Sequence, residues 1–539
     1  MTRYDYVIVG AGTAGCVLAA RLTEDPTVRV CLIEAGGPAR HPFVKVPALV
    51  GAAIMSRKLT WGLMTEPQPA LDNRRIPVPR GKLVGGTGSI NGMAYHRGHP
   101  RDYDDWAAAG NAGWSWQEVL PYFQRSENNA QLRDPSVHGT NGPVHVTYVP
   151  RPNPMNRDFA DSFASVGGFA HCTDFTGLEP EGYGLRQATI FRGCRDSTAT
   201  GYLAPASNRP NLTVLTQARV HRLRIEGGRA TGVVARTSND NQANRDQIIT
   251  AQREVLLCAG AIHSPQLLML SGIGPAQHLE SLGIAVQANL PVGANYVDHP
   301  ALALTQEMHD TSSYGLSLRT LPRAAWNLVE YLMARRGPLA SNVFESTAFI
   351  RSREGLDRPD LQIAFQPARR NPNPFPLPLG HGFAMSIVNL YPRSRGQVRL
   401  ASRDVNDAPR VDAGLFSDAA DIPPMLRGLR LARQLCTSDA FARYSAREML
   451  PGRAVQSDAD LTAYLRRAAA TAHHPVGTCR MGTDETSVVD PALRVRGLSA
   501  LRVVDASVFP GIVGGNTNAP VVMVAEKAAD LIRATATGV

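Results

Sequence analysis

The chain contains 539 residues, 43% of them hydrophobic and 19% charged, with a formal net charge of +10. This length and composition are typical of a globular protein with two or more domains. The positive charge comes from arginines spread along the chain rather than from a dense basic block. This distribution disfavours nucleic acid as a partner and leaves attraction to anionic substrates or a membrane surface open.

Seven cysteines are scattered without CxxC or metal-ligand spacing, so we predict reduced thiols and no metal site. A strand pattern begins at Tyr4, which leaves no room for a signal peptide before it. The chain also lacks a run of about 18 apolar residues, the length that crosses a bilayer. We therefore expect a cytoplasmic protein without a transmembrane segment, with peripheral contact at the inner membrane left open.

The first 34 residues carry the strongest local pattern. An apolar run over Tyr4–Val9 predicts a strand, and the glycine-rich residues 10–15 predict a turn. A helix is predicted over Cys16–Leu22 and a second strand over Val28–Ile33, which ends on Glu34. A strand, glycine turn, helix, second strand and acid in this order form the fingerprint of adenine-dinucleotide binding, without distinguishing FAD from NAD.

Each residue of this fingerprint has a physical reason. Gly10 permits the tight turn, Gly12 lets the backbone approach a pyrophosphate, and Gly15 lets helix and strand pack closely. Unpaired N–H groups at the helix start attract the phosphates, and Glu34 can accept hydrogen bonds from a ribose hydroxyl. The predicted contacts of this unit are Gly10, Gly12, Thr13, Ala14, Gly15, Glu34 and Ala35.

Beyond residue 35, loops, helices and strands alternate. Residues 36–80 show no periodicity and predict a long loop that covers the cofactor. Ser115 and Glu118, at capping-box spacing, begin a helix over Trp116–Glu127. The other predicted helices are Ser264–Ser271, Arg323–Arg336, Asp418–Cys436, Asp458–Ala470 and Ala519–Arg533, and the other predicted strands are Leu212–Leu215, Val220–Ile225, Ala230–Ala235, Arg253–Ala259, Asn342–Ile350 and Leu501–Val504.

Several long motifs resemble those of the glucose-methanol-choline (GMC) flavoprotein oxidoreductases, in particular the branch of bacterial alcohol and choline dehydrogenases. Residues 81–104 are similar to the first family signature, and Gly260–Gly274 to the second. The catalytic half of the family is matched by residues 474–482, 504–507, 515–520 and 525–530, and Ser394-Arg-Gly396 supports the choice of branch. The resemblance runs from end to end and implies FAD as the cofactor.

The resemblance also implies a fold and a domain division. The fold class is α/β (α+β overall), with a Rossmann-like FAD-binding domain assembled from discontinuous segments and a substrate domain of antiparallel sheet and helices. We assign residues 1–155, 195–300 and 465–539 to the FAD-binding domain, and residues 156–194 and 301–464 to the substrate-binding domain.

Flavin contacts are expected from the second glycine-rich loop and from the C-terminal motifs. Backbone amides around Asn91 can face the flavin and stabilise charge that arrives on it. Some relatives attach FAD through a histidine placed just before this asparagine; Ile90 stands there instead, so we expect non-covalent FAD. The further predicted cofactor contacts are Gly86, Asn91, Gly92, Met93, Ala94, Val220, Asp505, Ala506, Asn516 and Thr517.

His474 and Asn516 are the predicted catalytic residues. An imidazole can take a hydroxyl proton near neutral pH, and the matching histidine of the family faces the flavin N5. Its neighbour His473 competes for this position, because adjacent residues of an extended segment point in opposite directions. Asn516 can donate a hydrogen bond to the substrate oxygen but cannot act as a base. The structural alternatives are a hydrogen-bonded core histidine and a turn-forming asparagine.

Glu345 is a candidate substrate residue. Its surroundings, Ser341-Asn-Val-Phe-Glu345, resemble those of the glutamate that contacts the trimethylammonium group in choline oxidases. Similar runs occur in relatives that act on neutral alcohols, so a structural role at a strand end stays open.

These expectations combine into oxidation of a primary alcohol to an aldehyde, with proton abstraction at His474 and hydride transfer to the flavin N5. A small alcohol and an electron acceptor (a quinone, another redox carrier or O₂) are the expected partners, with a dehydrogenase favoured over an oxidase. The alternatives are choline oxidation and a non-redox use of the scaffold, as in lyases or a photodecarboxylase. An NAD-dependent enzyme and a flavoprotein without turnover are weaker alternatives.

Overall fold

Two seven-stranded sheets form the frame of the protein. The computed structural model describes residues 3–237, 246–370 and 379–537. In chain order the strands of the two sheets are β1 (Arg3–Val9), β2 (Val30–Ile33), β3 (Gly182–Leu185), β4 (Leu212–Leu215), β5 (Ala218–Glu226), β6 (Arg229–Thr237), β7 (Gln247–Leu257), β8 (Pro300–Glu307), β9 (Ser346–Ile350), β10 (Leu361–Gln366), β11 (Gly382–Asn389), β12 (Arg447–Leu450), β13 (Ala470–Thr471) and β14 (Leu501–Val503).

Helices cover the sheets and carry the loops between them. In chain order they are α1 (Thr13–Leu22), α2 (Pro42–Lys45), α3 (Val50–Met55), α4 (Pro100–Ala108), α5 (Trp116–Ser126), α6 (Met155–Val166), α7 (Ala204–Ala206), α8 (Gly260–Leu270), α9 (Ala276–Ser281), α10 (Leu321–Ala334), α11 (Ile422–Thr437), α12 (Asp439–Ala442), α13 (Asp458–Ala468) and α14 (Asn518–Thr537).

The first sheet has the strand order β4-β2-β1-β7-β6-β5, with β14 beside β7. Strand β1 lies in its centre and pairs in parallel with β2 and β7. Helices α1 and α14 pack against each other, so β1 is enclosed and its Val7 and Ile8 are fully buried. A nearly continuous apolar run is what a central parallel strand requires. The two ends of the chain therefore build one sheet.

The second sheet is antiparallel and has the order β12-β8-β11-β10-β9-β3, with β13 beside β8. Helix α11 packs on one of its faces, where Gly428 lies close to Ile387 and Leu361. Strands β8, β10 and β11 contribute side chains to a central cavity. This sheet thus separates an apolar core from the cavity wall.

The predicted α/β class is confirmed, whereas several predicted element bounds differ from the observed ones. Helix α1 begins at Thr13 rather than at Cys16, because Gly12 already serves as its N-cap residue. The predicted helix Asp418–Cys436 is divided into a 3₁₀ turn followed by α11. Strand β9 begins four residues later than predicted, after Val343 adopts a left-handed φ of 69°. The capping box of Ser115 and Glu118 is present.

Residues 36–80, predicted as loop, contain the short helices α2 and α3. The domain limits given above stay a proposal. None of the helices in the described parts of the chain has the length and apolarity needed to cross a membrane.

The packing of α1 on the turn after β1 yields a testable prediction. A Cβ atom on Gly15 would lie 1.9 Å from the carbonyl oxygen of Gly10, whereas one on Gly12 would approach no closer than 3.6 Å to Cys258. We expect Gly15→Ala to destabilise the fold by about 1–3 kcal/mol, because overpacking here must move backbone. Thermal unfolding of the apoprotein measures this effect.

Gly12→Ala is the matched control and should change the unfolding midpoint much less. Equal unfolding midpoints for the two variants would contradict the packing argument.

Candidate active site

A cavity of about 1410 Å³ lies between the two sheets and is lined by residues from both ends of the chain. Pockets for one small molecule usually have volumes of roughly 300–1,000 Å³. The cavity is therefore large enough for a dinucleotide together with a substrate.

Two glycine loops form the dinucleotide end. Gly10 has a φ of 100°, and a Cβ atom there would lie 2.6 Å from the carbonyl oxygen of Cys258. A Cβ atom on Gly86 would lie 2.9 Å from the Cα atom of Gly12. The two loops therefore meet backbone to backbone, and the start of α1 at Thr13 lies on the cavity wall. This cradle fits a pyrophosphate.

Glu34 ends β2 beside this cradle. Its carboxylate accepts hydrogen bonds from the backbone N–H groups of Ala11 (3.0 Å) and Gly36 (2.8 Å). Burial raises the pKa of Glu34 to about 7. Because each carboxylate oxygen has a second lone pair, the residue can still accept a hydrogen bond from a sugar hydroxyl in the cavity.

The loop from Asn91 to Ala94 presents its backbone to the cavity. The side-chain oxygen of Asn91 accepts hydrogen bonds from the N–H of Met93 (3.0 Å) and from Nη1 of Arg195 (2.8 Å). The same guanidinium nitrogen donates to the carbonyl oxygen of Asn91 (2.6 Å). The side chain of Asn91 therefore stabilises its own loop, and Arg195 fixes that side chain in position.

His474 lies between two polar partners. Its Nε2 atom is 2.9 Å from Nδ2 of Asn516, and its Nδ1 atom is 3.0 Å from Nδ1 of His299. His473, which precedes it, is not extended: its φ is 66°, and its ring contacts the hydroxyl of Thr471. The left-handed turn at His473 explains how both histidines line the cavity while His474 alone contacts Asn516.

These contacts define the tautomer of His474. The amide N–H of Asn516 donates a hydrogen bond to Nε2 of His474, so Nε2 is unprotonated. The ring proton of His474 is therefore on its Nδ1 atom, which donates a hydrogen bond to Nδ1 of His299. Burial lowers the pKa of His474 well below its ordinary value, and the proximity of the ionisable His299 and of Arg80 acts in the same direction. Burial also lowers the pKa of His299 to about 4. Both rings are therefore neutral near pH 7, and His474 is in the form that accepts a proton.

Buried acids hold the backbone of both catalytic candidates. Asp298 accepts a hydrogen bond from the N–H of His474 (2.7 Å), and Asp102 accepts one from the N–H of Gly514 (2.7 Å), two residues before Asn516. Burial raises the pKa of each acid to about 6. Two carboxyl groups that do not line the cavity thus fix the backbone of the loops that carry His474 and Asn516.

The structure places nearly all the predicted site residues on one cavity wall. Gly15 is absent from that wall because it packs α1 against the glycine turn. Asp505 reaches the wall and also accepts hydrogen bonds from Gly260 and Ser264. The predicted residues that line the cavity are Gly10, Gly12, Thr13, Ala14, Glu34, Ala35, Gly86, Asn91, Gly92, Met93, Ala94, Val220, His474, Asp505, Ala506, Asn516 and Thr517.

Glu345 is the second exception, since the cavity wall does not include it. It is 1% exposed, and its carboxylate accepts hydrogen bonds from groups of the chain itself. The donors are the hydroxyls of Ser341 and Tyr314, the backbone N–H of Asn153 and the amide of Asn156. These contacts favour the structural alternative over a substrate role.

Four site residues were missed by sequence reasoning: Arg186, Arg195, Asp298 and His299. Asp298 and His299 form an ionisable pair between apolar residues, which is a weak sign of a buried polar site. Nothing local indicates that His299 meets a ring 175 positions away.

The geometry fits a dinucleotide-dependent oxidoreductase, because the predicted cofactor residues and the candidate catalytic pair face one cavity. Sequence models of the GMC oxidoreductase family match residues 4–301 and 392–525. The chain therefore belongs to the GMC oxidoreductases. The predicted family, the FAD cofactor and an oxidoreductase acting on CH–OH groups are confirmed.

Relatives cover almost the whole chain. An alcohol dehydrogenase [acceptor] of Pseudomonas putida is 41% identical over 98% of this chain and 95% of its own length. An oxygen-dependent choline dehydrogenase of Rhizobium johnstonii is likewise 41% identical over the same shares.

Solved structures agree with the fold. Pyridoxine 4-oxidase from Mesorbium loti has a TM-score of 0.86 at 32% identity over 98% of both chains. Formate oxidase of Aspergillus oryzae has a TM-score of 0.91 at 28% identity over 100% of this chain and 99% of its own.

The His299 contact predicts a positioning effect on His474. We expect His299→Leu, which removes the acceptor facing Nδ1, to lower kcat about tenfold or more, because the catalytic ring loses its fixed tautomer. Flavin content and KM should stay near wild-type values. His299→Asn, whose amide oxygen can replace the Nδ1 acceptor, should recover most of the lost kcat in steady-state assays. Equal losses in both variants would show that His299 only fills space.

Proposed function

We propose that this protein oxidises a primary alcohol to an aldehyde with FAD as the hydride acceptor. The observation that carries the proposal is the contact of His474 with Asn516 on the wall of the cavity that also holds the dinucleotide cradle. Relatives named as alcohol and choline dehydrogenases support it.

In this proposal FAD, when bound, accepts a hydride from the alcohol carbon at its flavin N5. His474 takes the hydroxyl proton on Nε2, the atom that its tautomer leaves unprotonated, once the substrate hydroxyl replaces the Asn516 amide as the hydrogen-bond donor to that atom. The hydride would carry two electrons to the bound FAD and His474 takes one proton, so the alcohol becomes an aldehyde, FAD is reduced and His474 becomes an imidazolium. A positioned base contributes roughly 10²–10⁴ in rate.

Asn516 supplies the second polar group. Its side-chain oxygen is buried without a partner in the described chain, and its amide nitrogen already faces His474. The amide is therefore available to orient the substrate hydroxyl next to the base. It cannot accept the proton itself, so proton chemistry rests on His474.

The residues present fit FAD. Gly10, Gly12 and Gly86 leave the cradle without side chains, and Glu34 lies where a ribose hydroxyl would be bound. Ile90 offers no nucleophilic atom at the position used for covalent attachment in some relatives. Non-covalent FAD is therefore part of the proposal.

The electron acceptor and the location belong to the same proposal. We favour a dehydrogenase that passes electrons to a quinone or another carrier over an oxidase that uses O₂, on the example of the P. putida relative. A cytoplasmic protein in peripheral contact with the inner membrane fits the exposed apolar side of α10.

Choline oxidation is the second candidate, because several relatives are named as choline dehydrogenases. A trimethylammonium group calls for a carboxylate or an aromatic face. Among the described residues, the acids on the cavity wall are Glu34, at the dinucleotide end, and Asp505, which three donors already bind. The acids therefore offer little to choline, whereas the aromatic side chains of Trp61, Phe344 and Tyr464 on the wall keep it as the second candidate. Among the described residues, no contact favours a lyase or photodecarboxylase reaction.

Replacing the proposed base tests this reading. We expect His474→Ala to retain FAD and to lose about 10²–10⁴ in kcat, because no other group on the wall replaces Nε2. The measurement is turnover of a small panel of alcohols with an artificial acceptor, together with the flavin absorbance of the purified protein.

His473→Ala is the matched control, since the His473 ring contacts Thr471 rather than Asn516. The kcat of this variant should fall by less than about tenfold. Near-wild-type turnover in His474→Ala would overturn the assignment. If no alcohol bleaches the flavin of the wild-type protein without oxygen, the redox proposal itself fails.

A further inference from the structure

Arg186 is a buried cation that forms no ion pair with any described residue. It follows β3 and is 5% exposed. Its Nε atom donates to the carbonyl oxygen of Phe344 (2.6 Å), and its guanidinium lies 5.5 Å from the centre of that ring. In the described chain no acceptor contacts its two terminal nitrogens, although the residue lines the cavity. Burying a charge in this way is costly unless a partner arrives.

The nearest acid does not supply that partner. Glu345 gives Arg186 a backbone hydrogen bond through its carbonyl oxygen (2.9 Å), but its carboxylate is already bound by hydroxyl and amide donors. Burial accordingly lowers the pKa of Arg186 to about 9, in spite of the nearby Glu345 charge. The guanidinium therefore remains charged at neutral pH and faces the cavity.

Arg186 belongs to the reacting end of the cavity. The carbonyl oxygen of its neighbour Gln187 accepts a hydrogen bond from the N–H of Tyr95 (3.1 Å), and Ala188 pairs with Ala94. Arg186 is thus attached to the loop expected to face the flavin. The phosphate cradle, by contrast, is built from the start of α1 and Gly86, with which Arg186 makes no contact.

The other charged side chains on the cavity wall are also mostly positive. Against two acids, the lining contains eight arginines, among them Arg57, Arg80, Arg219 and Arg370. Such a wall attracts an anion and repels an ammonium group.

We propose that Arg186 binds a carboxylate carried by the alcohol substrate, so that the natural substrate is a hydroxy acid with a primary hydroxyl group. The planar guanidinium fork, with two terminal nitrogens available, matches the two oxygens of a carboxylate. This inference rests on the proposed alcohol oxidation and narrows its substrate class.

The test compares three alcohols of one shape: benzyl alcohol, 4-(hydroxymethyl)benzoate and the 4-trimethylammonium analogue. We expect the wild-type holoenzyme to prefer the carboxylate in kcat/KM. In Arg186→Met, the ratio of kcat/KM for the carboxylate to that for benzyl alcohol should fall about 30-fold or more, mainly through KM. Arg186→Lys should recover part of the ratio. Arg192→Met, at a surface arginine in the turn after Ile190–Phe191, should leave it unchanged.

Benzoate binding, followed by the flavin absorbance, gives a readout without turnover, and Arg186→Met should weaken it by a similar factor. Preference for the ammonium analogue, or benzoate binding that is absent or insensitive to Arg186→Met, would overturn the inference. If Arg186→Met lowers kcat/KM equally for all three alcohols and also lowers the flavin content, Arg186 binds the cofactor rather than the substrate. Turnover of benzyl alcohol separates these outcomes from failure of the proposed function.

A second, independent observation concerns helix α10. Of its residues, Tyr331 is buried, whereas its apolar side is exposed: Trp326 by 67%, Leu332 by 62% and Met333 by 83%. Leu321, Leu328 and Val329 extend the same surface. An apolar stripe of this size on one helix marks an interaction site.

The charges around α10 favour an anionic bilayer over a second copy of the chain. Arg319 and Arg323 lie at its beginning and Arg335 and Arg336 follow its end, all exposed. The acid on the helix, Glu330, is paired with Arg151. Two copies meeting through this surface would bring arginines together, whereas anionic lipids would neutralise them.

The surface adjoins the cavity. Tyr314, before the helix, lines the cavity. The segment Pro338–Ala340, after the helix, contacts Pro47–Leu49, which leads into α3 with the exposed, cavity-lining Met55. We infer that α10 docks the enzyme on an anionic membrane surface with the cavity rim beside the lipid.

Sedimentation of the holoenzyme with vesicles tests this docking. We expect binding to phosphatidylcholine vesicles that contain phosphatidylglycerol, and weaker binding to pure phosphatidylcholine. Trp326→Ser with Met333→Ser should weaken it about tenfold or more. Leu178→Ser, at an equally exposed leucine elsewhere, is the control. Absence of wild-type binding, or a dimer that the double variant dissociates, would overturn the inference.

Discussion

The buried carboxylate of Glu526 joins the two ends of this chain, and the cofactor site depends on that junction. Arg21 of α1 donates to it through Nε and Nη2, the Tyr202 hydroxyl donates to it, and Arg125 lies 2.8 Å away. The side chain of Glu526 is fully buried, so its charge is tolerable only with such partners. Because Glu526 lies on α14, the network sets α1 against the helix that follows Asn516. A hydrogen bond from Thr13 to Asn518 (3.0 Å) continues the junction at the cavity wall.

The residues for dinucleotide binding and those for the reaction come largely from different parts of the chain. Most of the dinucleotide end is built from neighbours in sequence: the turn at Gly10, the start of α1 and Glu34 all lie within the first 34 residues, and the loop at Gly86 joins them. The reacting end requires contacts over long separations: His474 with His299, and Gly514 with Asp102. Loop closure over such distances is costly in entropy, so these contacts need the sheets to be formed first.

The same separation explains how much the sequence could reveal. The glycine turn was predictable because its requirement is local: only glycine tolerates a φ of 100° beside Cys258. The candidate catalytic pair, His474 and Asn516, was predicted from family motifs, whereas His299 and Arg186 were missed because their contacts are tertiary. For Glu345 the family resemblance suggested a cation site and left a structural role open, and its four internal donors favour the structural role. Helix ends shifted by a few residues because caps such as Gly12 compete with periodicity.

The positive charge of the cavity has two opposing effects on proton transfer from an alcohol to His474. Burial lowers the pKa of His474, and the positive charge of Arg80 acts in the same direction, so that His474 becomes a weaker base. The same positive charges lower the pKa of an alcohol that enters the cavity, because they stabilise its developing alkoxide. Proton transfer depends on the difference between the two pKa values, which changes less than either one. A cationic wall can therefore select an anionic substrate without preventing a neutral histidine from acting as its base.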